Sequence, residues 1–129
     1  MAALSGEGGR LRRPALIAGA LLAATGVMLG AFAAHGLKDA LAPVALGWWQ
    51  TAVQYQMWHA VGLIALSTLP GRLGLPAVLI AAGTIVFSGS LYIMALTGLR
   101  WLGAVTPLGG LLMIAGWLLL ALRSWRAGT

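Results

Sequence analysis

The stretch ALGWWQTAVQYQMWHAVGLIALSTLP, residues 45–70, decides how often this chain crosses a membrane. Its second half is apolar, but Gln50, Gln54, Gln56 and His59 interrupt its first half. A helix starting only at Met57 would reach Pro70 after about 20 Å, short of a hydrocarbon core of about 30 Å. The sequence therefore predicts a span over about 47–69, with Trp48 and Trp49 in the interfacial aromatic belt and the three glutamines inside the protein. Three uncharged apolar segments flank it and read directly as spans, at about 14–34, 75–97 and 101–122. Pro14 stands where a first helical turn tolerates a missing N–H, and Pro107 falls inside the first two turns of the last span, freeing the carbonyl of Gly103.

Charge placement orients these spans. With both ends cytoplasmic, Arg10, Arg12, Arg13, Arg72, Arg123 and Arg126 lie inside and only Lys38 and Arg100 outside, as the positive-inside rule prefers. The expected fold is an all-α membrane protein, a four-transmembrane-helix bundle with both termini cytoplasmic. A basic segment over 1–13 precedes the membrane domain of 14–122, and a tail over 123–129 follows it. A cleaved secretory signal is the competing reading of residues 1–33, because AFA at 31–33 resembles a cleavage site. The apolar run is longer than a signal core of about 7–15 residues, so retention is preferred.

Composition agrees. Of 129 residues, 60% are hydrophobic and 8% charged, and the mean hydropathy is +0.94. A soluble domain carries roughly a quarter charged residues. The net charge of +6 does not indicate nucleic acid, because the basic residues are scattered or sit beside apolar runs. The chain has no cysteine, which excludes thiolate metal sites, iron–sulfur clusters and cysteine nucleophiles. A serine nucleophile at Ser90 lacks its strand–turn–helix setting, and Glu7 and Asp39 lie outside the spans, so no catalytic residue and no enzymatic activity is expected.

The polar residues within the spans form the candidate site. Gly19, Ala23, Gly26 and Gly30 make one small-residue face on the first span, suited to close packing inside the protein or, alternatively, to a homo-oligomer seam. His59 falls near the midplane, where an ionisable group is costly and marks a default site. Tyr55 and Gln56, four and three residues before it, share its face. Gln54, Ser88, Ser90 and Thr106 reach a similar depth, so these groups could converge with His59 in the external half of the bundle, either setting helix register or lining a ligand pocket. His35, Lys38 and Arg100 fall at the external interface, where they could meet anionic headgroups, and Gly36 suits a helix C-terminus. His35 and His59 differ in depth by about 15 Å, too far for one metal or haem. No metal or other cofactor is expected.

Four motifs stand in order: GAFAAHGLKDAL at 30–41, WWQTAVQYQMWHAVGL at 48–63, FSGSLYIMALTG at 87–98 and TPLGGLLMIAGW at 106–117. In these the chain resembles the transmembrane protein 256-like family, also catalogued as domain of unknown function 423, over about residues 14–122. The resemblance implies a small four-helix integral membrane protein, of the inner membrane in bacteria, without an established activity.

The residues and the resemblance together predict a multi-pass protein of the cell inner membrane that acts as a non-enzymatic accessory or small-ligand or lipid-binding protein. Its expected partners are membrane lipids, with a homo-oligomer or a larger membrane complex as further options. An oligomeric small transporter or channel is the alternative, and a quinone- or haem-associated redox subunit is the third reading.

Overall fold

A computed structural model describes residues 7–128, with side chains from Arg12 onward. Among the described residues there are four long helices, α1 (Glu7–Phe32), α2 (Pro43–Leu66), α3 (Gly74–Thr97) and α4 (Thr106–Ala127), and no strand. A π-helical turn, Ala33–Leu37, extends α1, and a 3-10 turn, Arg100–Ala104, precedes α4.

The ends of the elements have local causes. Pro43 and Pro107 sit in the first turns of α2 and α4, where the missing N–H would have no intrahelical acceptor. α2 therefore starts four residues before the expected Gly47, and α4 starts afresh at Thr106 instead of running through Gly103. Pro14 lies inside α1, not at its first turn. Of the expected basic segment, residues 1–6 lie outside the described part, and the chain is helical from Glu7 onward. The expected C-terminal tail is mostly the last turn of α4, with Thr129 outside the described residues. Gly98 takes a left-handed φ of 73° and closes α3. Gly36 does not act this way, since Gly71 and Gly98 are the only glycines at positive φ among the described residues. A Cβ on Gly36 would meet the exposed Phe32 ring at 2.7 Å, which that side chain can relieve by moving.

Consecutive helices run antiparallel, and the faces of α2 show how they assemble. Val53, Met57, Ala60 and Ile64 meet α1 at Gly30, Gly26 and Gly19. Ala52 and Gln56 take hydrogen bonds from α3, while His59 and Gly62 touch Trp117 of α4. At about 100° per residue these are three successive sectors of one helix. α2 and α3 thus form a central pair with α1 and α4 on opposite flanks, and α1 and α4 are not neighbours.

Burial is inverted relative to a water-soluble protein. Gln56, His59, Thr84, Ser88 and Ser90 are buried, whereas Leu21, Val27, Met28, Val61, Ile85, Leu111 and Leu118 are each about 60% exposed or more. Such an apolar exterior is expected where lipid is the solvent. Three helical stretches are long and apolar enough to cross a membrane: Arg12–Leu37, Gly74–Thr97 and Arg100–Ala127. α2 matches them in length, with 24 residues, but its glutamines and histidine keep it below that hydropathy.

Candidate functional site

The polar residues of the spans do not converge on one point; the helices divide them into separate hydrogen bonds. Gln56, 4% exposed, ties three helices together. Its Nε2 donates to the Leu22 carbonyl at 2.9 Å and to Thr25 Oγ1 of α1 at 2.8 Å. Its Oε1 accepts from the Tyr92 hydroxyl of α3 at 2.6 Å. Gln56 therefore turns away from the imidazole it was expected to support. Tyr92 falls just above Ser88 and Ser90 on the third span but was not among the site candidates, and Thr25, the only hydroxyl in its span, was passed over.

Ser88 is equally occupied, donating to the Ala52 carbonyl of α2 at 2.7 Å in a buried contact. Ser90 and Thr106 share a 2.6 Å hydrogen bond between α3 and α4. A double-mutant cycle of S90A and T106V, read from thermal unfolding in detergent, is expected to give a coupling of about 0.6 kcal/mol and at most about 1.7, the range of interhelical bonds in a membrane. No coupling would mean the two hydroxyls are not partners.

His59 differs from these groups. It is 8% exposed, and its Nδ1 lies 2.8 Å from the Tyr55 carbonyl. A carbonyl can only accept, so Nδ1 carries the proton in the neutral ring and Nε2 is left as an acceptor. Among the described residues Nε2 has no hydrogen-bond partner, and neither does the Tyr55 hydroxyl. Tyr55 acts on His59 through its backbone, while its ring lies nearly parallel to the imidazole at 6.1 Å and 10°. Trp117 of α4 approaches the other side at 5.8 Å, and Phe87 packs on Tyr55 at 4.5 Å. Trp117 lies in the middle of the 22-residue α4, and His59 seven residues before the end of α2. The sequence reading missed Phe87 and Trp117; both stand in the quoted motifs, but nothing there shows that they face His59.

The remaining candidates lie elsewhere. Gln54 is exposed, as is Gln50, so two of the three glutamines expected inside the protein face outward. They border a cavity of about 380 Å³ with Gly30, Ala33, Ala34 and Val53. His35 and Lys38 are exposed after α1. Arg100 lies over the Trp48 ring at 5.9 Å at the same end of the protein. Trp49 does not face outward: it is 3% exposed, donates to the Leu29 carbonyl at 2.9 Å and packs edge-on against Tyr92 at 4.7 Å. Its indole provides both apolar volume and a donor, which suits a polar layer inside an apolar protein. Gly19, Gly26 and Gly30 bring α1 onto α2. A second close contact, Gly83 with Gly109, joins α3 to α4; it was not anticipated, because it needs one glycine from each of two helices.

An apolar exterior, buried polar side chains and helices of membrane-spanning length define a helical integral membrane protein. Comparison with known proteins supplies the family. Residues 29–110 match a family described as a protein of unknown function, DUF423. Over 115 residues the chain is 45% identical to a UPF0382 membrane protein of Staphylococcus haemolyticus, covering 86% of this chain and 94% of that one. It is 43% identical to the UPF0382 membrane protein YwdK of Bacillus subtilis, covering 84% and 94%. With the UPF0382 inner membrane protein YgdD of Escherichia coli strain K12 it shares 41%, over 79% and 84%. The chain belongs to this family. No solved structure matches it.

Proposed function

We propose that this is a non-enzymatic protein of the cell inner membrane, crossing it four times with both termini cytoplasmic, that binds a small amphiphile such as a lipid or quinone beside His59. The single observation that carries the ligand reading is the acceptor Nε2 of a nine-tenths-buried imidazole, without a partner among the described residues and set among Tyr55, Phe87 and Trp117. Apolar walls with a few polar groups are what small-molecule sites use, and a ligand hydroxyl or amide would find its acceptor there. The Tyr55 hydroxyl offers a second hydrogen bond. Gln56, Ser88, Ser90 and Thr106 set helix register in this reading instead of touching the ligand. The central position of α2 supports its being the fourth span. The grouping of Arg12, Arg72, Arg123 and Arg126 at one end, with Lys38 and Arg100 at the other, supports the orientation.

Native mass spectrometry of the protein extracted gently from its own membrane tests this. A lipid or quinone should accompany the wild type and be lost from H59A, with the melting temperature kept within a few degrees. Protein arriving bare, or H59A carrying the same molecule, overturns the reading.

A second reading, a homo-oligomer, is favoured by Gln50 and Gln54. Each amide both donates and accepts, and both are exposed on the outer surface of α2, where a second copy could pair with them. The same spectra read it: a dimer or larger assembly lost in Q50L/Q54L supports it, and a monomeric wild type excludes it.

A further inference from the structure

At the end of the protein opposite Arg100, three arginines from three different parts of the chain line one cavity of about 370 Å³: Arg12 of α1, Arg72 of the α2–α3 connection and Arg123 of α4. No carboxylate lines it among the described residues. Cations gathered without a counter-charge repel one another, and the repulsion is strongest where water is partly excluded. Arg12 adds a second observation, since its Nε is buried and has no acceptor among the described residues. Leaving such a donor unmade is costly. Arg123 is already held in place, donating from Nη1 to the Arg72 carbonyl at 2.5 Å. That bond fixes the connection against α4 and leaves the Arg72 side chain uncommitted to it.

The backbone adds to the same field. α3 begins at this cavity, with Gly74 and Leu75 on its wall and no side chain capping the helix. The Gly74 and Leu75 N–H groups, with Pro76 supplying none and Ala77 bonded to the Leu73 carbonyl, are the donors this helix start offers an anion. Ala15, Leu66 and Ala77 give the same cavity an apolar floor, continuous with the core cluster that they form with Leu63 and Ile80.

We propose that this cavity is an anion site for a phosphate group, with Arg12, Arg72 and Arg123 as its ligands and the start of α3 as its backbone donor. Guanidinium pairs with phosphate oxygens through charge-assisted, often bidentate hydrogen bonds. The phosphate could be that of a phospholipid headgroup, with glycerol and the first acyl carbons on the apolar floor, or a free phosphate. The site lies at the other end of the protein from the external cations and is independent of the His59 reading.

The test uses the full chain in a non-ionic detergent. Binding of phosphatidylglycerol and phosphatidylcholine is titrated by native mass spectrometry, and inorganic phosphate is added as competitor. Wild type should hold phosphatidylglycerol about tenfold or more tighter than phosphatidylcholine, and R12Q, R72Q and R123Q should each weaken it about tenfold. R13Q, at an exposed arginine that does not line the cavity, should leave binding unchanged. R72Q is the decisive variant, because Arg72 is exposed and only its carbonyl, not its side chain, takes the Arg123 bond. Displacement of the lipid by inorganic phosphate assigns the site to free phosphate as well; resistance to it assigns the site to the headgroup. Equal retention of the two lipids by the wild type, or R72Q binding phosphatidylglycerol as the wild type does, overturns the proposal.

Discussion

Gly109→Ala is expected to lower the melting temperature of the detergent-solubilised protein by about 10 °C, and Gly109→Val by more. A Cβ on Gly109 would stand 2.7 Å from the Gly83 carbonyl oxygen and 2.8 Å from the Phe87 Cα. A Cβ on Gly83 would meet the Gly109 carbonyl oxygen and the Met113 nitrogen, each at 2.7 Å. These are backbone atoms, so no change of rotamer relieves the clash and the helices must move apart. Overpacking of this kind costs about 1–3 kcal/mol for a modest insertion. α4 is exposed to most of the effect, since among the described residues its backbone approaches α3 closely, while α2 reaches it through the Trp117 side chain. Gly47 and Gly89 are the controls: a Cβ there meets nothing within 4 Å, and alanine should gain up to about 1 kcal/mol of helix propensity. Because the two glycines face each other, G83A/G109A should cost clearly less than the sum of the single variants. Wild-type melting of G109A would show that α3 and α4 are not in backbone contact at this point.

Gln56→Leu is the second large effect, expected to cost about 2–3 kcal/mol in thermal unfolding. The average interhelical hydrogen bond in a membrane contributes only about 0.6 kcal/mol, but this residue makes three, and leucine abandons all of them. The Tyr92 hydroxyl then loses its acceptor between α2 and α3, and Thr25 loses the donor that ties α1 to α2. The orphaned groups add to the loss, since an unmade buried bond costs more than a made one contributes. Y92F should therefore cost little in the Q56L background, and the double variant should be more stable than the two single effects predict. Strict additivity would show that Gln56 and Tyr92 are not partners.

Part of this arrangement is legible in the chain. Gln54 and Gln56 are about 200° apart on a helix, so they cannot share an interior face. The period alone sends Gln54 outward once Gln56 is inside. Of the tryptophan pair, Trp48 lies beside Arg100 while Trp49 turns between the helices, a difference that composition alone does not show. That His59 turns inward could be expected from the cost of an ionisable group in lipid. The missing partner of its Nε2 could not, because that depends on which carbonyl the other ring nitrogen reaches.

By itself, the sequence determined the membrane setting, four helices with their approximate limits, the family, and the small-residue face by which α1 meets α2. Composition and helical period are summed over twenty or more residues, and local errors average out. Only the tertiary structure decided that the polar residues separate into Gln56 with Tyr92 and Thr25, Ser88 with a carbonyl, and Ser90 with Thr106, leaving the imidazole acceptor apart. It alone brought Gly83 to Gly109 and Arg12 to Arg72 and Arg123. A hydrogen bond or a backbone contact has a tolerance of a few tenths of an ångström. That is set by how each helix is rotated against its neighbours, a quantity no single helix encodes.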